Sequence, residues 1–385
     1  MGKNDKQTSG EGQPQQKPKK PKWWLNRMKG HKPPLPNTHG DWPLSELLRA
    51  AHECALEVSW KNSVLKWVIP QNHMRYCLAL KKELDSGTYK TGNYTIFTVK
   101  EPKERLIRSP LFRDRVVQRC MCNISVYDDL TRGNIYDNGA CQSGRGTKFM
   151  LDRLKVHMWR HYRRHGRKGW CLSLDIHHFF DSIPHGPLKE MARKLIRNKT
   201  YANLVCEIID TYPDPGLGLG SQLSQLLAIA YLSPLIDHVV KEKLHIEHYI
   251  RYSDDFRIIH EDKGVLLHAW KVIKNELEAM GLSLNAKSHI HRLDDGVVFM
   301  KWRFRYTETG GIEMRKIPKA VGRFRRYYKR CIRWKLEGRR TDEDLAKTME
   351  SWQAHMEMGN SNQTIMNMRK FAREQNAKAS EHEMK

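Results

Sequence analysis

Three aspartates stand where they could support metal-dependent chemistry. Asp175 ends a short apolar run, and the adjacent Asp254 and Asp255 begin 79 residues later, between two further apolar runs. Two divalent cations about 3.5–4 Å apart can activate a hydroxyl and stabilise a leaving oxygen when acidic ligands converge on them. Magnesium prefers hard oxygen ligands and commonly uses one or two carboxylates beside substrate phosphates. The three carboxylates therefore predict a site for two Mg²⁺ ions.

The adjacent pair needs a turn that holds both carboxylates at its tip. Apolar residues at 249–250 and 256–259 flank the pair and predict two strands joined by a tight turn. An isolated Asp-Asp pair is more often a solvated turn, so the neighbouring motifs must decide between the two interpretations. His177 and His178 follow Asp175 without helical ligand spacing, and we expect no metal role for them.

The charge of the chain predicts a polyanionic partner. Its 385 residues carry a formal net charge of +25, and 39% of them are hydrophobic, which permits a core shared by two or three subdomains. Lys and Arg that neutralise phosphates release counterions, so nucleic acid is the natural partner. We see no apolar run close to the ~20 residues of a membrane span and no signal-peptide segment. The expectation is a cytoplasmic protein without a membrane partner.

The cysteines do not predict a metal site or a disulfide framework. All eight are scattered through apolar surroundings, with no Cys-x-x-Cys pair and no matching histidine spacing for zinc. We expect them to be reduced core residues. Separately, the glycines of the segment 138–147 indicate backbone that approaches a ligand or another chain.

The hydrophobic pattern predicts alternating helices and strands. Helices are predicted at 44–58, 71–84, from 113 onward, and at 185–198, 200–212, 222–242 and 263–280. Strands are predicted at 94–99, 105–108, 170–175, 288–292, 297–300 and 302–306, in addition to the hairpin around the aspartate pair. From about 318 the chain is predicted to be helical, with breaks at Gly338 and Gly359.

In this order the motifs resemble the reverse transcriptase superfamily, from about residue 45 to residue 310. The resemblance implies an α+β fold of the right-hand polymerase type. Its fingers would lie at 40–169, its palm of antiparallel sheet and helices at 170–310, and its basic helical thumb and tail at 311–385. Residues 1–39 carry nine Lys and Arg against two Asp and Glu, which predicts a disordered basic extension. That extension would either grip RNA or act as a solubilising tail.

The resemblance also implies roles at the catalytic centre. Asp175, Asp254 and Asp255 would bind two Mg²⁺ ions, with the backbone carbonyl of Ile176 as a further ligand. Phe180 would be the steric gate that clashes with a 2′-hydroxyl and so favours deoxynucleotides. The alternative for Phe179 and Phe180 is core packing.

The fingers would bind the triphosphate of the incoming dNTP. By resemblance to retron and group II intron enzymes, Arg105 would neutralise charge on the departing pyrophosphate. Lys100 or Lys103 would be its partner, and the residues leave that choice open. Lys287 would lie near the pyrophosphate and protonate it. A solvated basic face is the alternative for the residues on the strand.

The segment from Leu219 to Gln225 bears on the subclass. Most reverse transcriptases have Gln-Gly-x-x-x-Ser-Pro here, but this chain has Leu219 before Gly220 and Gln225 after Ser224. The two departures resemble the enzymes of diversity-generating retroelements, which misincorporate opposite template adenines. Replacing an amide by Leu removes a hydrogen bond that could supply roughly 0.5–1.5 kcal/mol of positioning. The alternative is that Gly216, Gly218 and Gly220 only form a flexible turn.

The residues expected to hold nucleic acid lie near the catalytic hairpin and toward the C-terminus. Residues 298–304 resemble the primer grip, and residues 315–340 carry twelve Lys and Arg and one Glu between aromatic residues, which suits a thumb helix on an RNA·DNA hybrid. A basic solvent-facing helix is the alternative. The individual predictions are Tyr252, Met300, Lys301, Trp302, Lys319, Arg323, Arg326, Lys329 and Arg330.

These observations predict an RNA-directed DNA polymerase that copies a template-repeat RNA into adenine-mutagenised cDNA. By resemblance, its partners would be template RNA, the RNA·DNA hybrid, dNTPs and a small basic oligomeric accessory variability protein. The alternatives are a group II intron-like or abortive-infection reverse transcriptase, or an inactive RNA-binding scaffold. Intact acidic ligands argue against the scaffold.

Overall fold

The computed structural model describes residues 42–56, 72–100 and 103–383. The predicted basic extension at 1–39 lies outside the described residues. So do the C-terminal end of the helix predicted at 44–58 and the first residue of the helix predicted at 71–84.

Helices and an antiparallel hairpin form the N-terminal part. They are α1 (Leu44–Leu56), α2 (His73–Asp85), β1 (Tyr94–Val99) and β2 (Arg105–Pro110). Helix α1 buries Leu47, Ala50, Ala51 and Cys54, an i, i+3, i+4, i+7 stripe that packs on α2 and on α3 (Phe112–Met121). A π turn at Cys122–Val126 continues α3 into α4 (Tyr127–Thr131). These elements agree with the predictions.

A four-stranded antiparallel sheet forms the centre, in the order β4-β5-β3-β6. Its strands are β3 (Trp170–Asp175), β4 (His248–Tyr252), β5 (Asp255–His260) and β6 (His289–Arg292). The long helix α5 (Thr147–His165), which the sequence analysis did not predict, packs on β4 and β5. Its buried Met150, Leu151, Leu154 and Met158 belong to one core cluster with Cys171, Ile250 and Ile259 of the sheet.

Helices cover the remainder of this sheet and connect its strands. They are α6 (Phe179–Ser182), α7 (His185–Leu195), α8 (Lys199–Asp210), α9 (Gln222–Leu232), two π turns at Ser233–Asp237 and Val239–Lys243, and α10 (Lys263–Glu278). By length and hydropathy the stretch Gln222–Lys243 could cross a membrane, contrary to our prediction that no run comes close. Because 83% of its most apolar window is buried inside the protein, core packing accounts for its apolar character.

A second antiparallel sheet and three helices end the chain. The order β7-β8-β9 joins Val297–Phe299, Trp302–Tyr306 and Ile312–Lys316, of which β9 was not predicted. Helices α11 (Pro318–Leu336), α12 (Asp342–Met356) and α13 (Asn362–Glu383) follow, with the predicted breaks between them. Tyr328, Cys331, Leu345 and Met368 form their shared core. The fold class is therefore α+β, as predicted, whereas the predicted boundaries of fingers, palm and thumb remain predictions.

The eight cysteines are thiols outside any disulfide, and seven of them are buried. Cys141 is the exception, because it is exposed in the glycine-rich segment and has a positive φ of 52°. In that segment a Cβ on Gly139 would lie 2.4 Å from the Met150 sulfur of α5. The close approach that we predicted for these glycines is therefore, at Gly139, an approach to a helix of the same chain.

Candidate active site

Strands β3 and β5 bring two of the predicted carboxylates side by side. Asp175 and Asp255 are directly opposite each other in the antiparallel register, which places their Cα atoms about 4.5–5.5 Å apart. Asp254 immediately precedes β5, in the tight turn after Tyr252, where Ser253 has a φ of 58°. One end of the central sheet therefore carries all three predicted metal ligands.

The surroundings of the two hairpin aspartates disfavour their ionised forms. Burial raises the pKa of Asp254, and the charges of Asp175 and Asp255 raise it further. Burial also raises the pKa of Asp255, although Arg257 beside it lowers that pKa in part. Carboxylates that are difficult to ionise without a nearby cation are the expected ligands of a divalent metal.

Arg257 connects Asp255 to the second sheet. Its Nη1 donates to Asp255, while its Nε and Nη2 donate to the backbone carbonyl of Val298 in β7 at 2.9 and 2.7 Å. Among the described residues, the oxygens of the three aspartates do not form a group whose members all lie within 4.8 Å of one another. A two-ion site does not require that, because its ligands are spread over two ions about 3.5–4 Å apart.

The segment after α10 orients Asp175 and the residue that follows it. Asn285 donates from its side-chain amide to the Asp175 carboxylate at 3.0 Å and from its backbone N–H to the Asp175 carbonyl at 2.8 Å. The backbone N–H of His177 donates to the Ser283 carbonyl at 2.9 Å. Since neighbouring residues of an extended chain point their polar groups to opposite sides, the Ile176 carbonyl faces away from this segment, toward β5. Its role as a metal ligand stays a prediction.

A buried ion pair supports the turn that carries Asp254. Arg251 and Asp237 are both fully buried, and the guanidinium donates to both carboxylate oxygens at 2.7 Å. The Tyr249 hydroxyl also donates to Asp237, at 2.7 Å. Nη1 of Arg251 donates to the carbonyl of Ser253, inside the turn, at 3.0 Å. Arg251 therefore positions the turn that carries Asp254, a role that the sequence analysis missed.

The two phenylalanines after Asp175 differ in their surroundings. Phe179 is 3% exposed and belongs to the core, whereas Phe180 is partly exposed. The Phe180 carbonyl accepts from the backbone N–H of Leu217 at 2.7 Å, which ties the gate candidate to the loop that leads to Leu219. Core packing thus applies to Phe179, and the gate role of Phe180 stays a prediction.

Leu219 and Gly220 contact the β1–β2 hairpin. Leu219 forms a parallel bridge with Ile107 of β2, and its carbonyl accepts from the backbone N–H of Arg108 at 2.8 Å. Gly220 has a φ of 119°, and a Cβ there would lie 2.9 Å from Ile107 and 3.2 Å from the Arg108 carbonyl. The glycine is therefore required for close approach to β2 as well as for the turn before α9. Gln225 is exposed and accepts from the Cys141 thiol at 3.1 Å.

The predicted triphosphate-binding cations are all exposed. Arg105 begins β2 opposite Val99, and Lys100 and Lys103 stand at the same end of the β1–β2 hairpin, so the structure does not choose between the two lysines. Lys287 is exposed in the segment of Asn285, whose side-chain oxygen accepts from the Lys287 backbone N–H at 3.1 Å. Lys287 therefore lies two residues after Asn285, whose side chain donates to the Asp175 carboxylate.

Trp302 corrects one prediction. We predicted that it contacts nucleic acid, but it is fully buried in the core cluster, where the Lys316 ammonium lies 4.3 Å from the centre of its ring. It alternates with exposed residues along β8, so its side chain points to the core face. Met300 and Lys301 form the β7–β8 turn with positive φ values, and Lys301 is exposed. Tyr252 is half-buried.

The predicted cations of α11 are partly engaged within the protein. Lys319, Arg326 and Lys329 are exposed, and Arg323 and Arg330 are half-buried. The Lys329 ammonium lies 5.7 Å from the Phe371 ring centre, and the Arg330 guanidinium lies 5.3 Å from that of Trp334. Their role in nucleic-acid binding stays a prediction.

A cavity of about 240 Å³ lies beside the Leu219–Gln225 segment. Gln118 lines it, is 5% exposed and accepts from the Ser221 hydroxyl at 2.7 Å. The sequence analysis assigned no role to this glutamine. Its place beside the start of α9 adds it to the candidate site, together with Arg115.

Comparisons with known proteins agree with this geometry. Residues 99–306 match the family model "Reverse transcriptase (RNA-dependent DNA polymerase)". The chain is also 23% identical, over 188 residues, to the "Putative COX1/OXI3 intron 1 protein" of Saccharomyces cerevisiae. That match covers 45% of this chain and 21% of the yeast protein, so the chain spans about a fifth of its relative.

Solved structures with a similar fold include two telomerases. The Candida albicans telomerase, determined with a fragment of telomeric RNA, has a TM-score of 0.44 and 11% identity over 62% of this chain and 49% of that one. The apo telomerase of Candida tropicalis has a TM-score of 0.45 and 14% identity over 59% and 49%. The family model covers more than half of the sequence and all three aspartates. This chain, with its α+β right-hand fold, belongs to the reverse transcriptase family.

Proposed function

We propose that this protein is an RNA-directed DNA polymerase that extends a primer on an RNA template. One observation carries the proposal: Asp175 and Asp255 face each other across β3 and β5, with Asp254 in the adjoining turn. Family membership supports the reaction, and the net charge of +25 supports a nucleic-acid substrate.

The donor set of the site fits magnesium. Asp175, Asp254, Asp255 and the Ile176 carbonyl supply only oxygen ligands, which is the preference of Mg²⁺. Two such ions would lower the pKa of the primer hydroxyl and stabilise charge on the leaving oxygen. Arg257 and Asn285 orient Asp255 and Asp175, and Arg251 fixes the turn of Asp254.

The residues around this centre would bind the incoming dNTP. Arg105, with Lys100 or Lys103, would hold the triphosphate, and Lys287 would face the departing pyrophosphate. Phe180 would exclude a 2′-hydroxyl from the sugar position. Leu219, Gly220 and Gln225 would border the nascent base pair. The contact of Leu219 and Gly220 with β2 supports a site that these residues share with the fingers.

Within the family, we propose a diversity-generating retroelement enzyme that makes adenine-directed errors while it copies a template-repeat RNA. Two residues support this subclass: Leu219 stands in place of the usual glutamine, and Gln225 stands in place of the usual proline. Its partners would then include a small basic oligomeric accessory protein. A group II intron-like enzyme is the second candidate, favoured by the match to a yeast intron protein.

The polymerase proposal is tested by primer extension on an RNA template with Mg²⁺. The variant in which Asp254 and Asp255 are both changed to Asn should extend no more primer than a reaction without enzyme. The exposed Asp294-Asp295 pair, changed to Asn in the same way, is the matched control and should extend normally. Equal extension by wild type and the Asp254-Asp255 variant would exclude this site as the polymerase centre.

The subclass is tested by sequencing cDNA made by wild type and by Leu219→Gln. We expect wild type to misincorporate mainly opposite template adenine, and Leu219→Gln to reduce those errors because the added amide can position the nascent pair. Leu267→Gln, at an exposed position on α10, controls for a general effect of the substitution. A uniform wild-type error spectrum would favour the intron-like alternative.

A further inference from the structure

A second cluster of metal-ligand side chains lies at the far end of β5. His161 and His165 are four residues apart on α5, so they lie on one face of the helix, and Glu261 directly follows β5. One ligand atom from each of these three residues lies within 4.8 Å of the other two. Glu261 is six residues from Asp255, so an extended strand separates this cluster from the catalytic aspartates by roughly 20 Å.

His161 already has the arrangement of a metal-bound histidine. It is fully buried, and one ring nitrogen donates to the Lys168 carbonyl at 2.8 Å. The other ring nitrogen, which then carries a lone pair, is buried without a hydrogen-bond partner. Metal-ligating histidines commonly donate their second ring N–H to a backbone carbonyl, which fixes the tautomer and the ring orientation. The second ring nitrogen of His161 therefore has a lone pair that no hydrogen bond occupies.

The other two side chains have the spacing of neighbouring ligands. His165 Nε2 lies 3.6 Å from Glu261 Oε2, and two ligands of a tetrahedral ion with bonds of about 2.0–2.1 Å would lie roughly 3.4 Å apart. Both side chains are partly exposed, at 34% and 44%, so an ion could enter from solvent and retain a water.

A neighbouring histidine does not neutralise Glu261. His260 Nδ1 lies 3.5 Å from the carboxylate, but it accepts the backbone N–H of Asp262 at 3.0 Å. A nitrogen that accepts a hydrogen bond has no proton to donate to Glu261. The carboxylate is thus available to a cation.

We propose that His161, His165 and Glu261 bind one divalent transition-metal ion of the Zn²⁺ type, with water as the fourth ligand. Two imidazoles and one carboxylate suit zinc, cobalt or nickel better than magnesium, which prefers oxygen ligands. The ion would fasten the end of α5 to the end of β5, the strand that begins at Asp255. Its role would be structural, and it is independent of the polymerase proposal.

The test is metal binding by the full chain, stripped with EDTA and then held in excess Mg²⁺ to saturate oxygen-rich sites. We expect one equivalent of Co²⁺ to give the visible absorption of a tetrahedral nitrogen and oxygen site. Zn²⁺ should displace that Co²⁺ and raise Tm by a few degrees, because it binds only the folded state. Absence of both effects would overturn the proposal.

Variants locate the ion. Glu261→Gln, which keeps the shape of an exposed side chain, and His165→Ala should each weaken Zn²⁺ binding at least tenfold, with unchanged circular dichroism. His268→Ala and Glu278→Gln, at exposed positions on α10, should bind like wild type. Binding that survives Glu261→Gln and His165→Ala would mean that the ion sits elsewhere, and the proposal would be wrong.

Discussion

The two hairpins beside the candidate active site are held in opposite ways. The β4–β5 hairpin is buried along most of its length, and Arg251 fixes its turn through the buried Asp237. The β1–β2 hairpin is largely exposed, including Phe97 at 48% and Leu106 at 50%. Reacting groups must be positioned before substrate arrives, whereas an arm that closes on substrate makes its contacts only then. If the proposed function is right, the contrast predicts a preformed chemical centre and a hairpin that makes its contacts with the substrates.

The largest expected effect comes from the buried ion pair. Arg251→Met should destabilise the protein by about 3–5 kcal/mol, because it leaves Asp237 buried without its cation. Adding Asp237→Leu should restore part of that stability, since both charges are then removed while the Tyr249 hydroxyl loses its acceptor. The double variant should still have a reduced kcat, because the Ser253 carbonyl has lost its donor. Denaturant unfolding and primer extension measure the two effects separately, and normal kcat in the double variant would contradict the positioning role.

Arg105 tests the other hairpin. Arg105→Ala should leave the free energy of unfolding nearly unchanged, because the side chain is exposed. It should raise KM for dNTP about 10- to 100-fold, because the loss of a hydrogen bond to a charged group weakens binding by roughly that factor. Arg305→Ala, at an exposed strand position outside the predicted primer grip, is the control. A loss of stability instead of a higher KM would show that the hairpin is a structural element.

Gly220 lies in the loop before α9 and contacts β2 of the exposed hairpin. Gly220→Ala should cost about 1–3 kcal/mol, because its φ of 119° and the contact with Ile107 both disfavour a Cβ. Ile107→Ala in the same chain should recover part of that loss by making room. Gly144→Ala also has a positive φ, at 70°, but open space around its Cβ, so it reports the backbone effect alone. If the two glycine variants lose equal stability, the contact with β2 contributes nothing.

The pKa of Asp254 predicts the smallest effect. Because burial raises that pKa above its ordinary value of 3.8, the protonated form stabilises the fold at low pH, and this stabilisation is lost as the pH rises. Asp254→Asn should therefore be more stable than wild type at pH 7 in EDTA, by about 1 kcal/mol. The difference should disappear near pH 4 and shrink with Mg²⁺. Asp294→Asn should show no such dependence, and thermal unfolding measures all three.

The local sequence was sufficient to predict most helices and strands and to identify the three candidate aspartates. The strands around Asp175 and Asp255 alternate or run apolar between turn residues, so their period and order predicted the sheet. Helix α5 was missed, although Met150, Leu151, Leu154 and Met158 have helical spacing, because Arg, Lys and His occupy most of its other positions. Two of those histidines, His157 and His161, are themselves buried, which no periodicity indicates.

Contacts between distant segments could not be predicted. The pair of Arg251 and Asp237 depends on a buried environment that only tertiary packing creates. Trp302 was assigned to nucleic acid because residues 298–304 resemble the primer grip, yet the alternation of β8 turns it to the core. The approach of Gly220 to Ile107 joins residues 113 positions apart, and the signal in the sequence was only a glycine.

The central claim is that Asp175, Asp254 and Asp255 form one divalent-metal centre. The most direct measurement counts Mn²⁺ ions by electron paramagnetic resonance in the complex with primer–template and a non-incorporable dNTP. It is performed in the His165→Ala background, so that the proposed zinc-type site does not contribute. We predict two bound ions, and at most one when Asp175→Asn is added. The same number of ions in both proteins would contradict the account.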